Sequence, residues 1–229
     1  HGTVRHPRAA LALRRGELTL SGVVPEICER NGRRVHHWLT ASKADSETAV
    51  VRAWVHLLTA WADGERNVAA RIVGKPKDDK ASLKWLDLGC LTDAETPEAV
   101  LNTLLDAWWL ARRRAVPLFE STGKALAGAY LGAKGDERAI LCEGAVRAAW
   151  FGGPFQPAES ADRWVRALHA GWDPTRALHD LDVLGSPSLP ALDETASFCT
   201  LTRAVWVPLL RCMRSEGTTM RDVRHLWPV

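Results

Sequence analysis

No stretch of this 229-residue sequence is apolar for long enough to cross a membrane. The richest runs, around Val50-Val51 and Leu57-Leu58, meet a charge within a few residues, whereas a span needs about 20 apolar positions. Cysteine is scarce: five residues, at 28, 90, 142, 199 and 212, an odd count with no Cys-x-x-Cys spacing. A disulfide framework and a zinc knuckle are therefore excluded. Reduced thiols, with no secretory leader in view, lead to the expectation of a cytoplasmic protein. The sequence has no Gly-x-x-x-x-Gly-Lys-Ser/Thr phosphate loop and no Gly-x-Ser-x-Gly elbow, which removes P-loop ATPases and α/β-hydrolases. Tyrosine occurs once and methionine twice, yet there are eleven tryptophans. Apolar residues at 46% and charged residues at 25% are ordinary for a globular chain. The first residue is His1 rather than Met, and the expectation is a domain of something longer.

Charge is uneven although the total is only +3. Residues 1–42 hold seven Arg and three acidic residues, a local +4, and the remainder sums to −1. Thr3 to Arg15, rich in Arg and Ala, reads as a turn or two of amphipathic helix, so residues 1–16 are expected to be a basic lead-in and 17–229 a domain. From Glu17 the period shortens to two. Leu18, Leu20, Val23 and Val24 predict a strand, Val35 to Thr40 predicts its partner, and Asn31-Gly32 supplies the positive φ of a tight hairpin turn. A helix is expected next, capped by Asp45 or Ser46, with Val50, Trp54, Leu57, Leu58 and Trp61 on one face and an end at Asp63-Gly64. Val68–Val73 and Leu83–Leu88 predict two more strands around a polar turn. Thr96-Pro97-Glu98 then opens a second helix, whose apolar face includes Leu104, Leu105, Trp108 and Trp109 and which Arg112-Arg113-Arg114 closes. Beyond Pro117 the pattern is helical: Gly123–Leu131, Asp136–Phe151, Ser160–His169, Pro174–Asp180 and Leu192–Met213. The fold class is thus mixed α/β, a small sheet with a helical C-terminal half.

Candidate chemistry is thin. His36 and His37 are adjacent in a strand, so they point to opposite faces and cannot share a metal. The one Asp-x-Lys stretch, Asp78-Asp79-Lys80, falls at a turn tip, where such triplets gather without catalytic meaning. Arginines near the hairpin (Arg14, Arg15, Arg30, Arg33 and Arg34) suit bidentate phosphate contacts, and a solvated strand face is the plain alternative. Most tryptophans have aliphatic neighbours at helical spacing and read as core. Trp38, Trp172 and Trp227 do not, and are candidates for subunit contacts or base stacking.

The order of hairpin, Trp-rich helix, strand pair, helix ending in Arg112-Arg113-Arg114-Ala115-Val116-Pro117-Leu118, and then Ala145 to Gly152 resembles the C-terminal part of the gamma subunit of bacterial exodeoxyribonuclease V, the RecC family. Leu18-Thr19-Leu20-Ser21-Gly22-Val23-Val24-Pro25, Arg52 to Leu58 and Val207-Pro208-Leu209-Leu210 resemble its first strand, first core helix and closing segment. The likeness runs from about Leu18 to Arg211. It implies a PD-(D/E)xK nuclease-like core, a small mixed sheet flanked by helices, that has lost its catalytic set. The metal-binding Asp position falls on Pro25 and the Asp-x-Lys of the partner strand on His37 and Leu39. No metal or other cofactor is then expected. The resemblance implies a scaffold in a RecBCD-type helicase–nuclease that processes double-strand DNA ends for recombinational repair. The expected partners are DNA, as duplex ends and as single strands in a channel, and the beta and alpha subunits, with no membrane. Two other readings stay open: an active metal-dependent nuclease using Asp78, Asp79 and Lys80, and a stand-alone DNA- or protein-binding module.

Overall fold

Strand pairing organises the first part of the chain. The computed structural model describes residues 4–6, 10–15, 18–23, 27–30, 33–44, 46–65, 68–75, 84–88, 95–153, 157–214 and 219–222. Strands β1 (Val4–His6), β2 (Ala10–Arg15), β3 (Leu18–Val23), β4 (Ile27–Arg30) and β5 (Arg33–Lys43) precede helix α1 (Glu47–Ala62). β6 (Val68–Lys75) and β7 (Lys84–Leu88) follow, and β8 (Thr219–Asp222) comes from the far end of the chain. Six strands form one sheet in the order β1-β4-β5-β6-β7-β8, and β2 and β3 form a separate two-stranded sheet. Among the described strands only β5 and β6 run parallel. That direction requires a crossover connection, and α1 supplies it.

Two sequence expectations need correction. Residues 4–6 and 10–15 are strands, not helix. The helix preference of Ala and Arg is a weak prior, and it yields to the backbone pairing that β2 makes with β3, from Ala10 opposite Val23 to Arg15 opposite Leu18. The hairpin is therefore divided differently. β3 pairs with β2, and the strand paired with β5 is β4, with Arg30 facing Arg33 and Ile27 facing His36; the expected turn at Asn31-Gly32 itself lies outside the described residues.

Helix α1 follows its apolar period closely. Ala53, Trp54, Leu57, Leu58 and Trp61 are buried. At its end Glu65 N–H donates to Ala60 O at 2.9 Å and Gly64 N–H to Trp61 O at 3.1 Å, with Gly64 at φ +92°. This pair of hydrogen bonds is the Schellman stop, and the left-handed residue is why glycine stands there. Trp61 Nε1 donates 2.9 Å to Val68 O, tying the helix to the start of β6. β6 itself alternates buried and half-buried residues along its length, as a strand with one packed face should.

The chain divides into two compact units, one of His1–Leu101 with Arg211–Val229, the other of Asn102–Leu210. Helix α2 (Pro97–Arg113) begins with Ala99 N–H donating to Thr96 Oγ1 at 3.2 Å, as the Thr-Pro start predicts. α3 (Glu120–Gly132), α4 (Arg138–Phe151), the one-and-a-half-turn α5 (Arg163–Leu168) and α6 (Phe198–Arg214) complete the helices, with a 3-10 stretch over Pro174–Gly185. α6 starts six residues later than its apolar pattern suggests; Leu192 instead packs against Leu110, Ala196 and Leu201.

The second unit is built round an aromatic nest. Phe119 lies 4.8 Å from Trp150, 4.8 Å from Trp172 and 5.0 Å from His169, between ring centroids. Trp206 Nε1 donates to Phe119 O at 3.2 Å. Beside it α3 has a glycine: a Cβ on Gly123 would sit 2.7 Å from the Trp206 ring. The G123A variant should therefore be destabilised by about 1–3 kcal/mol through overpacking, read as a lower midpoint in urea unfolding of the whole chain.

Candidate functional site

Alternation along β5 separates the two faces of the six-stranded sheet. Trp38 meets His56 of α1 at 5.0 Å between ring centroids, and His36 stacks on His56 at 5.8 Å. His36 and Trp38 therefore face α1, and His37 and Leu39 face the other way. The exposures agree: His36 is 6% exposed, His37 is exposed and Leu39 is 78% exposed. The expectation that the two histidines part company holds.

Register then builds the opposite face. His37 lies beside Arg71 of β6, and Arg71 beside Asp87 of β7. One row up, Leu39 lies beside Val73, and Val73 beside Trp85. Asp87 is 1% exposed. Arg71 holds it with both arms of the guanidinium, Nε to Oδ1 at 2.7 Å and Nη2 to Oδ2 at 2.8 Å. The Arg71 guanidinium also sits 4.6 Å from the Trp85 ring centroid. A paired, stacked arginine of this kind is a fixed group. Partial desolvation by its neighbours on the sheet, and secondly the Arg71 cation, push the His37 imidazole below its usual pKa, against the opposing pull of Asp87.

The face thus carries one carboxylate already bound to a guanidinium, an imidazole and an aliphatic side chain. Hydrolysis by divalent cations needs converging carboxylates, and among the described residues no three His, Cys, Asp or Glu side chains gather into a possible metal site. Arg71 and Asp87 were missed from sequence. The available signal was Arg71 and Asp87 among the apolar residues of two short strands, since buried charges require partners.

The other predicted residues are spread over both units. Arg14 and Arg15 lie on β2, opposite Thr19 and Leu18 of β3. Arg30 and Arg33 face each other at the β4–β5 turn, and Arg34 is ion-paired with Glu65 at 2.5 Å. Pro25, Trp227 and the Asp78-Asp79-Lys80 stretch lie outside the described residues. Trp38 and Trp172, read as lacking neighbours, do have company, but it is aromatic: His36 and His56 for Trp38, and Phe119, Trp150 and Phe198 for Trp172. Conversely, Trp108 and Trp109, expected in a helix core, are 50% and 45% exposed. Arg112 lies 5.2 Å over the Trp108 ring, so this helix end is a surface of rings and guanidinium groups.

The family model described as the RecC C-terminal domain matches residues 2–131. The chain belongs to the RecC C-terminal domain family. No curated protein matches it. The RecC match covers β1 to β7, α1, α2 and nearly all of α3, and so includes the His37–Arg71–Asp87 row. Membership makes this a domain of the subunit found in RecBCD-type DNA repair complexes, multi-subunit assemblies that work on DNA. Among the described residues no helix of this RecC domain is long and apolar enough to cross a membrane.

Two outcomes follow from the geometry. Asp87→Ala leaves a largely buried guanidinium uncompensated and should cost about 3 kcal/mol of stability, whereas the double variant R71M/D87L should recover most of it; chemical denaturation of both decides. Burial also lowers the pKa of His56 and His169. A histidine depressed in the folded state binds protons more readily when unfolded. Stability from His37, His56 and His169 is therefore fully present above about pH 6.5 and is lost as pH falls toward their folded values. Thermal midpoints across pH 5–8 should fall on the acid side, and H56F should flatten that fall.

Proposed function

We propose that this chain is a non-catalytic, nuclease-like domain of a RecC-type subunit, serving as a scaffold and a contact for DNA and for the beta and alpha subunits in processing double-strand ends. The carrying observation is the Arg71–Asp87 pair. The carboxylate on the candidate face is taken up by a guanidinium at 2.7 and 2.8 Å, and the neighbouring ligand positions hold His37 and Leu39. A metal ion has no set of acidic ligands there among the described residues. The complex works on DNA in the cytoplasm, and this domain takes no cofactor.

DNA contact is the role we give the β2–β3 hairpin and the β4–β5 turn. Arg14 and Arg15 stand at the end of β2, opposite Thr19 and Leu18, and Arg30 and Arg33 are partners at the end of β4 and the start of β5. Arginine at such positions suits bidentate phosphate contacts. Subunit contact is the role we give α4 and the end of α2. Ile140, Leu141 and Phe151 are 73%, 49% and 54% exposed, and Gly144 and Ala148 share their stripe at helical spacing. An exposed apolar stripe of this kind marks a protein-binding face.

Linear duplex DNA should stay intact when incubated with the chain and Mg²⁺ or Mn²⁺; cleavage that disappears in D87N would overturn the reading. R14E/R15E should weaken binding to duplex ends irrespective of sequence. It should also reduce the slope of log affinity against log salt by about one for each phosphate no longer neutralised. I140D/F151D should leave stability within about 0.5 kcal/mol and reduce co-purification with the beta or alpha subunit.

A further inference from the structure

Beyond the RecC match, the second unit has a cavity that the DNA-contact reading does not use. It is open to solvent, about 650 Å³ in volume, and lies between the end of α4, α5 and the loop that follows. That size suits a ligand of a few hundred daltons. Its lining is of two kinds. Trp150, His169 and Trp172 contribute rings, and Arg163 and Arg166 contribute cations. Among the described residues no acidic side chain lines it.

The rings are held by their neighbours rather than by the cavity. Trp172 is half-buried and fixed edge-on by Trp150 at 5.3 Å and Phe198 at 5.5 Å. Gly171, with φ +74°, turns the chain between His169 and Trp172. The cations are less committed. Among the described residues neither Arg163 nor Arg166 is in an ion pair, and both are exposed. Arg163 lies 4.8 Å over the ring of Trp164, itself 63% exposed, which holds one guanidinium beside the cavity. Two arginines without carboxylates select an anion, and fork geometry favours phosphate. Fixed rings select a flat partner.

We propose that this cavity binds one phosphorylated nucleotide, its base against His169 and Trp172 and its phosphate on Arg163 and Arg166. The nucleotide is either a unit of a DNA strand or free in solution; only the first source rests on the DNA-handling reading above.

The test uses the whole 229-residue chain and two probes, fluorescein-labelled dT8 followed by anisotropy and dTMP followed by calorimetry. Binding of at least one probe is expected, with R163E/R166E about tenfold weaker or worse and with a reduced salt dependence. Because both arginines are exposed, unchanged thermal midpoints should accompany the weaker binding; W172L gives a second reading, abolished binding with the arginines intact. If dTMP binds and displaces dT8, the site takes a free nucleotide; if dT8 binds and dTMP does not compete, it takes a unit of the strand. Binding of neither probe, or binding unchanged in R163E/R166E, overturns the proposal. R14E/R15E separates the two ideas: it should leave dTMP binding untouched whether or not the hairpin contacts DNA.

Discussion

The guanidinium of Arg71 fixes the middle of the six-stranded sheet. It reaches from β6 to the buried carboxylate of β7, lies over Trp85 and stands beside His37 of β5 in the strand register. A buried ion pair is a costly thing to build, and its stability over an apolar substitute is small. What it supplies here is specificity. Asp87 has two acceptor oxygens in a space with little water, and only a bidentate partner in register satisfies both. Sliding β7 against β6 by one residue would strand both charges, so the pair pins the register that backbone hydrogen bonds alone leave degenerate. The same geometry makes the carboxylate a poor metal ligand, because a cation would first have to displace the guanidinium.

Aromatic side chains divide the labour between the two units. In the first, the tryptophans act singly: Trp54 is buried on the apolar face of α1, Trp61 bonds to a strand carbonyl, and Trp85 lies under Arg71. In the second, tryptophan and phenylalanine pack on one another round Phe119. A cluster of edge-to-face rings is stiff, since each is oriented by several others. Loops that end on such a cluster, like that carrying His169 and Trp172, are therefore placed more firmly than their lack of regular structure suggests.

Legibility in the sequence followed the range of the interaction. α1, its glycine stop, β6, β7 and the start of α2 could be read because their signals are local: 3.6-residue periodicity, a C-terminal glycine and a Thr-Pro opening. The partner of β3 could not. Residues 10–15 carry a helix-like composition, and only the assembled sheet pairs them with β3 and leaves β4 for β5. Trp108 and Trp109 misled for a related reason. They continue the period of an apolar face, yet the unit ends its packing at Ala107 and Leu110, leaving both rings outside. The Arg71–Asp87 pair was not legible, because its two halves are sixteen residues apart and only strand pairing brings them together.

The placement of β8 has a consequence for how the chain comes to be folded. The sheet's outermost strand beside β7 is Thr219–Asp222, contributed after the entire second unit has been traversed. During synthesis the ribosome therefore delivers β7 with one edge unpaired, then more than a hundred residues of helix-rich chain, before the strand that covers that edge emerges. An open edge is a template for association with another chain. The helical unit, whose contacts are closer in sequence, has every opportunity to form during that wait. The sheet can therefore be completed only after the last of its strands, β8, has been made.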